Sequence, residues 1–516
     1  MPNSNEPTPS ESLLNLSAVS LSRAVQARAL SCQEVMQATL AQIDRFNPEV
    51  NALVSLRDPE VLLKEAQTKD QVLAQHSERH TPKGWLFGLP QAPKDLSPVA
   101  GLLTTQGSPL LATQTTPRDN LMTARLRAAG CIFIGKTNTP EFGLGSQTHN
   151  PVFGTTLNAW DSRLTAGGSS GGAAVALALN MLPVADGSDM MGSLRNPAGW
   201  NHVYGLRPSL GRVPKGPDPD MFFQQLGTEG PMARNPQDLA WLLATQSGYD
   251  PSAPLSLSGN GDETGFFGSL DADLNGRRLA WLGDLNGYLA MDPGVLALCE
   301  AALPHFQTLG LGVEAMVPEF QYERLWTTWL HLRGFTVAGN LREFYNNPKT
   351  RPLLKPEAQW ESEQGQGLLA SDVFTASVWR TRWYQRLVKC FEHFDYLALP
   401  SAQTFPFSAD LHWPAEVGGR AMDTYHRWME VTIYATLAGL PAICLPAGFS
   451  EAGLPMGIQV IGRPRDEGSL LQLAQGWHQA VPFMDRRPPR LGRASRSDLL
   501  DRSYRSNSVG SPHARK

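Results

Sequence analysis

The stretch GGSSGGAAVALALNMLPVA, residues 167–185, restricts the fold of this chain more than any other. Its second half is apolar on every side, so as a helix it has no face to offer water and belongs inside a large core. The glycines in front of it let backbone N–H groups approach something closely and tolerate unusual dihedrals. A Gly/Ser run of this kind is otherwise a flexible linker, but a linker does not lead into a buried helix. The chain can supply the core. It has 516 residues, 41% hydrophobic and 18% charged, which is a globular balance.

Other segments place strands and helices around that centre. SCQEVMQATLAQIDRFNP opens with a Ser31/Glu34 capping box, sets Met36, Leu40 and Ile43 on one face, and is expected to stop at Asn47-Pro48. GWLFGLPQAPKDL reads as a short strand and a loop carrying Lys94, and Cys131–Ile134 as a buried strand. YLALPSAQTFPF, PAICLPAGF and GLPMGIQVIG are strand-like core, whereas RLWTTWLHLRGF is helical, with Trp326 and Trp329 on one face. Strands interleaved with helices predict an α/β protein. No internal repeat is present. The expected organisation is an N-terminal extension over 1–20, one domain over 21–488 with an insertion at about 215–393 shaping the substrate pocket, and a basic tail over 489–516.

The net charge of -4 gives no reason to expect nucleic acid as a partner. Positive charge gathers only past Asp485, where a solvated end is the simpler reading. Five scattered cysteines without metal spacing suit reduced thiols. No stretch reads as a leader or a membrane span, so a cytoplasmic protein is expected, with no metal and no cofactor. A homodimer is left open.

Three readings compete for the serine cluster. Gly168-Ser169-Ser170-Gly171-Gly172 satisfies G-x-S-x-G, but a nucleophile elbow needs a strand just before its serine, and DSRLTAG stands there instead. A phosphate cradle lacks both glycine-lysine and dinucleotide signatures. The third takes GGSSGG together with APKD at 92–95 and DGSDMMGSLRNPAG at 186–199. Lys94 and Ser169 are 75 residues apart, and Ser169 and Ser193 are 24 apart. These motifs, with GKTNTPEFG, GLRPSLGRVP, LAGLPAICLPAGF and GLPMGIQVIG around them, strongly resemble the amidase signature family.

That resemblance implies the amidase signature fold, a central mixed β-sheet covered by helices on both faces. It also implies a Ser-Ser-Lys triad that hydrolyses a small carboxamide. Ser193 would be the nucleophile, forming an acyl-enzyme, and Ser169 would relay its proton to a neutral Lys94. A lysine becomes neutral near pH 7 when burial disfavours its charge, and Asp95 is expected to point away from it. The resemblance further implies a cis peptide between Gly168 and Ser169. Backbone N–H groups of Met190, Met191, Gly192 and Ser193 would receive the oxyanion, with Gly168, Ser170, Asp189 and Arg195 supporting the loops.

Two positions depart from the family pattern. Met191 stands where Gly is usual. Either that position needs positive φ, at a cost of about 1–2 kcal/mol for Met, or Met191 fills space beside the acyl site. Pro93 replaces an aliphatic residue before Lys94 and removes one backbone donor. His202 reads as a packed structural histidine, and Tyr425 and Trp428 read as core or as pocket wall. Cyclic or oligomeric amides are candidate substrates, because GSLRNPAGW and MDTYHRWMEV look like amidases acting on them. The alternatives are the glutaminase subunit of a tRNA-dependent amidotransferase, or a catalytically weakened binding protein on the same fold.

Overall fold

Eight strands make one mixed sheet: β1 (Ala185–Asp189), β2 (Tyr204–Arg207), β3 (Thr228–Ala233), β4 (Arg278–Trp281), β5 (Gly312–Ala315), β6 (Tyr396–Pro400), β7 (Ala442–Phe449) and β8 (Pro455–Gly462). The computed structural model describes residues 13–75, 84–223, 225–258 and 265–488. Strand order across the sheet is β5-β4-β6-β8-β7-β2-β3-β1. The β5-β4-β6 end is parallel, and every other pairing is antiparallel. Burial follows position. Every residue of the central strands β6 and β8 is buried, as their continuous apolar runs require, whereas edge strand β5 is mostly exposed.

The helix Gly171–Ala178 is buried along its whole length, as its apolar composition requires. The chain leaves it through Asn180 at φ +56°. The Ser31/Glu34 capping box is present, but the helix it starts runs through Pro48 to Val50. Pro48 lies in the last turn, and the stop falls at Asn51, which takes the left-handed conformation and donates its N–H to the Asn47 carbonyl. The middle segment is less of an insertion than its texture suggests. Residues 215–393 contribute β3, β4 and β5 to the common sheet, and their helices Tyr322–Asn346, Pro356–Gln366 and Ala370–Cys390 pack together beside it.

A capped helix, Ala18–Gln26, begins inside the expected N-terminal extension, with Ala18 and Val19 buried. The basic tail expected over 489–516 lies outside the described residues, as do residues 1–12. All five cysteines are buried and none forms a disulfide. No helix among the described residues is long and apolar enough to cross a membrane.

Candidate active site

Lys94 reaches the centre from a short strand. Pro90–Gln91 pairs in parallel with Ile132–Phe133, and the chain continues alongside Thr137. Thr137 donates its N–H to the Pro93 carbonyl (3.1 Å) and accepts from the Asp95 N–H (3.0 Å). The missing N–H of Pro93 therefore costs no bond to this neighbour. Asp95 turns away from the amine and accepts from the Thr105 N–H (3.1 Å) and hydroxyl (2.5 Å).

The Lys94 side chain is 0% exposed, and its Nζ touches three hydroxyls: Ser169 Oγ (2.7 Å), Ser170 Oγ (3.0 Å) and Ser188 Oγ (3.1 Å). Burial pushes its pKa down to about 7 against the opposing pull of Asp189, Asp186 and Glu229. At about 1.36 kcal/mol per unit, that shift is roughly 4–5 kcal/mol of penalty on the ammonium. The backbone of Lys94 is fixed as well, since its N–H donates to Asp186 Oδ2 (3.1 Å). Asp186 is itself buried, which raises its carboxyl to about 6.

The Gly168–Ser169 peptide is cis, and Gly168 donates its N–H to Asn196 Oδ1 (3.2 Å). Ser170 joins the two serine segments, because its N–H donates to the Ser193 carbonyl (3.2 Å). The Ser193 side chain sits at the end of the loop that leaves β1 and enters the helix Arg195–Asn201; the residue is 6% exposed. Its Oγ has no hydrogen-bond partner among the described residues, so it is free to meet an incoming group.

Asp189 holds that loop from behind. Its carboxylate accepts from the Gly192 N–H (2.9 Å) and the Leu194 N–H (3.1 Å), and takes two bonds from Arg195, Nε at 3.0 Å and Nη2 at 2.9 Å. Burial opposes its charge, but Arg195, Arg207 and the loop N–H groups hold the carboxyl well below the usual range. Arg195 and Asp189 form a buried ion pair that ties the loop N–H groups of Gly192 and Leu194 to one carboxylate. Gly192 departs from expectation as an oxyanion donor, since its N–H is already committed to Asp189. Among the described residues, the N–H groups of Met190, Met191 and Ser193 have no internal partner.

The Met191 question resolves on the backbone. Gly192, and not Met191, takes positive φ (+77°), and a Cβ there would fall 2.5 Å from Thr432 Cγ2. Met191 keeps an ordinary conformation and is 2% exposed, packed in the core beside the loop. His202 is structural: its Nε2 lies 3.1 Å from the Phe483 carbonyl, and burial lowers its pKa to about 4. Tyr425 and Trp428 are buried. Ser188 and Lys136 escaped the sequence reading. Ser188 lies inside the stretch DGSDMMGSLRNPAG, two residues before Met190, and a second hydroxyl in that stretch is the signal that marks it. Among the described residues, no group of three or more His, Cys, Asp or Glu is placed to hold a metal ion.

A mixed sheet that brings a buried amine to a set of serine hydroxyls defines a class of serine amidohydrolases, and comparison with known proteins agrees. Residues 34–471 match the family model described as Amidase, so the chain belongs to the amidase signature family and acts on carbon–nitrogen bonds of amides. It is 33% identical to a glutamyl-tRNA(Gln) amidotransferase subunit of Cyanothece sp., over 89% of this chain and 96% of that protein. It is 32% identical to an acylamidase of Rhodococcus erythropolis, covering 92% and 97%. Among solved structures, a 6-aminohexanoate cyclic dimer hydrolase complexed with substrate superposes with a TM-score of 0.80 at 25% identity, covering 92% and 99%.

Proposed function

We propose that the protein hydrolyses a carboxamide through an acyl-enzyme on Ser193, with Ser169 and Lys94 carrying the proton. The observation behind this reading is the 2.7 Å contact between the buried Lys94 Nζ and Ser169 Oγ. A neutral amine has two N–H donors and one lone pair, so one of its three hydroxyl neighbours must donate to it. Ser169 is the nearest. As Ser193 Oγ bonds to the carbonyl carbon, its proton passes to Ser169 while the Ser169 proton passes to Lys94. The carbonyl oxygen becomes an oxyanion and is met by the N–H groups of Met190, Met191 and Ser193, not by Gly192. The C–N bond then breaks, the proton returns along the same route to the leaving amine, and water removes the acyl group.

The free loop donors and the ordinary Met191 backbone weigh against a catalytically weakened protein. Linear, cyclic or oligomeric amides are the expected substrates, in line with the activities named for the acylamidase and the cyclic dimer hydrolase. Fluorophosphonate labelling tests the chemistry. The folded wild type is expected to label at Ser193, and Ser193→Ala is expected neither to label nor to turn over a panel of small amides, dipeptide amides and cyclic amides. A folded wild type that stays unlabelled would overturn the reading. The 33% identity to one component of an amidotransferase favours a second role, as its glutaminase. That role requires glutaminase activity and copurification with partner subunits.

A further inference from the structure

The helix Tyr322–Asn346 brings Arg333, 3% exposed, against the Met190–Ser193 loop. One edge of its guanidinium is fully engaged. Nε donates to Glu361 Oε1, Nη2 donates to the Tyr425 hydroxyl (2.7 Å), and that hydroxyl donates to the same Glu361 oxygen (2.7 Å). The other edge is not. Nη1 meets only Met190 Sδ at 3.6 Å, and a thioether is a weak acceptor. Buried guanidinium groups usually end on strong oxygen acceptors, and among the described residues this edge has none.

Two sets of neighbours lead from that edge toward the reacting centre. Met190 is the first residue of the serine loop. From the opposite side, a Cβ on Gly143 would stand 3.6 Å from Ser169 Oγ, and one on Gly145 would stand 3.9 Å from Tyr425 Cε2. Gly143 and Gly145 therefore connect the neighbourhood of Ser169 with that of Tyr425, with Leu96 packed against Gly143, where a Cβ would fall 2.7 Å from its Cδ1.

We propose that Arg333 is a specificity-determining residue whose Nη1 takes a second carbonyl oxygen of the substrate, one that is not being attacked. The proposal rests on the acyl-Ser193 reading above. Glu361 already balances the guanidinium, so a neutral amide carbonyl fits better than a carboxylate, which would place a second anion on one cation. Amides that repeat their carbonyl along the chain, such as diamides and oligomeric or cyclic amides, meet this requirement, and simple monoamides do not.

Matched pairs test it: butanamide with succinamide, pentanamide with glutaramide, hexanamide with adipamide, each also against the corresponding half-acid monoamide. The wild type is expected to favour the diamide in at least one pair by about ten- to hundredfold in kcat/KM, the range of a hydrogen bond to a charged group, mainly through KM. In R333M/E361Q, which removes the cation and its counter-ion together, the ratio within that pair is expected to fall toward one. If that variant shows no cooperative thermal transition, R333K is used, and it is expected to lower the same ratio. A wild type without diamide preference, a half-acid preferred over its diamide, or variants in which both partners fall by one factor would overturn the proposal. A wild type that neither labels at Ser193 nor cleaves any of these amides would instead overturn the acyl-enzyme chemistry itself.

Discussion

Two buried lysines lie on neighbouring stretches of chain and behave differently. Lys94 and Lys136 are both 0% exposed, and burial lowers the first to about 7 and the second to about 8. Their partners separate them. Lys94 Nζ faces three hydroxyls, and a hydroxyl both accepts and donates, so a proton can travel through it. Lys136 Nζ faces the carbonyls of Ser97 and Lys94, the latter at 3.3 Å, and a carbonyl only accepts. Asp95 adds the main opposing charge at Lys136, whereas Lys94 feels its carboxylates, led by Asp189, without a direct bond from its amine. Burial alone therefore does not make a base. The second requirement is a neighbour able to hand over a proton, and by that measure Lys136 ties down the Lys94 backbone while only Lys94 has the partners that the proposed proton transfer needs.

The sharpest way to break this contrast is Lys94→Ala. Its kcat/KM is expected to drop by about 10²–10⁴-fold or more, the range of a lost general base, while thermal unfolding stays cooperative. Substantial residual turnover would remove Lys94 from the role. Next in size is the pH profile. The base works only when neutral, so wild-type kcat/KM should fall about tenfold for each unit below pH 7 and level off above it. A limb near 8 instead would assign control to Lys136. Lys136→Met should act mainly on stability, lowering it by about 1–3 kcal/mol through stranded carbonyls, as read from urea midpoints, with a smaller loss of rate than Lys94→Ala. The smallest effect is expected from Asp186→Asn. The Asp186 charge favours the ammonium of Lys94, so removing it should lower the Lys94 pKa and move the acid limb below 7 by under about one unit. Movement upward would mean that the carboxylate acts otherwise than by its charge.

How far the sequence disclosed this arrangement depends on the kind of signal. The buried helix after GGSSGG was legible because a run without a polar face has one destination. Lys94, Ser169 and Ser193 were legible as motif positions, yet only the fold shows that Ser170 and Ser188 share the amine. Pro48 misled because it falls in the last turn, where its absent N–H costs the helix a single bond, and the left-handed Asn51 sets the end three residues later. The middle segment misled because its loops hide the short strands β3, β4 and β5, and partners distant in sequence decide whether such strands join a sheet. Gly192 misled for a related reason. Its spacing fits an oxyanion donor, but a backbone N–H is spent by whatever lies nearest, and Asp189 was nearest.

The clamp on Asp189 also bears on the temperature response of the reaction. Because Arg195, Gly192 and Leu194 fix this carboxylate before any ligand arrives, the dipoles of the serine loop need not turn when, in the proposed mechanism, a negative charge forms beside them. The reorganisation work that mobile solvent would have to perform at each turnover is done once, as the chain folds.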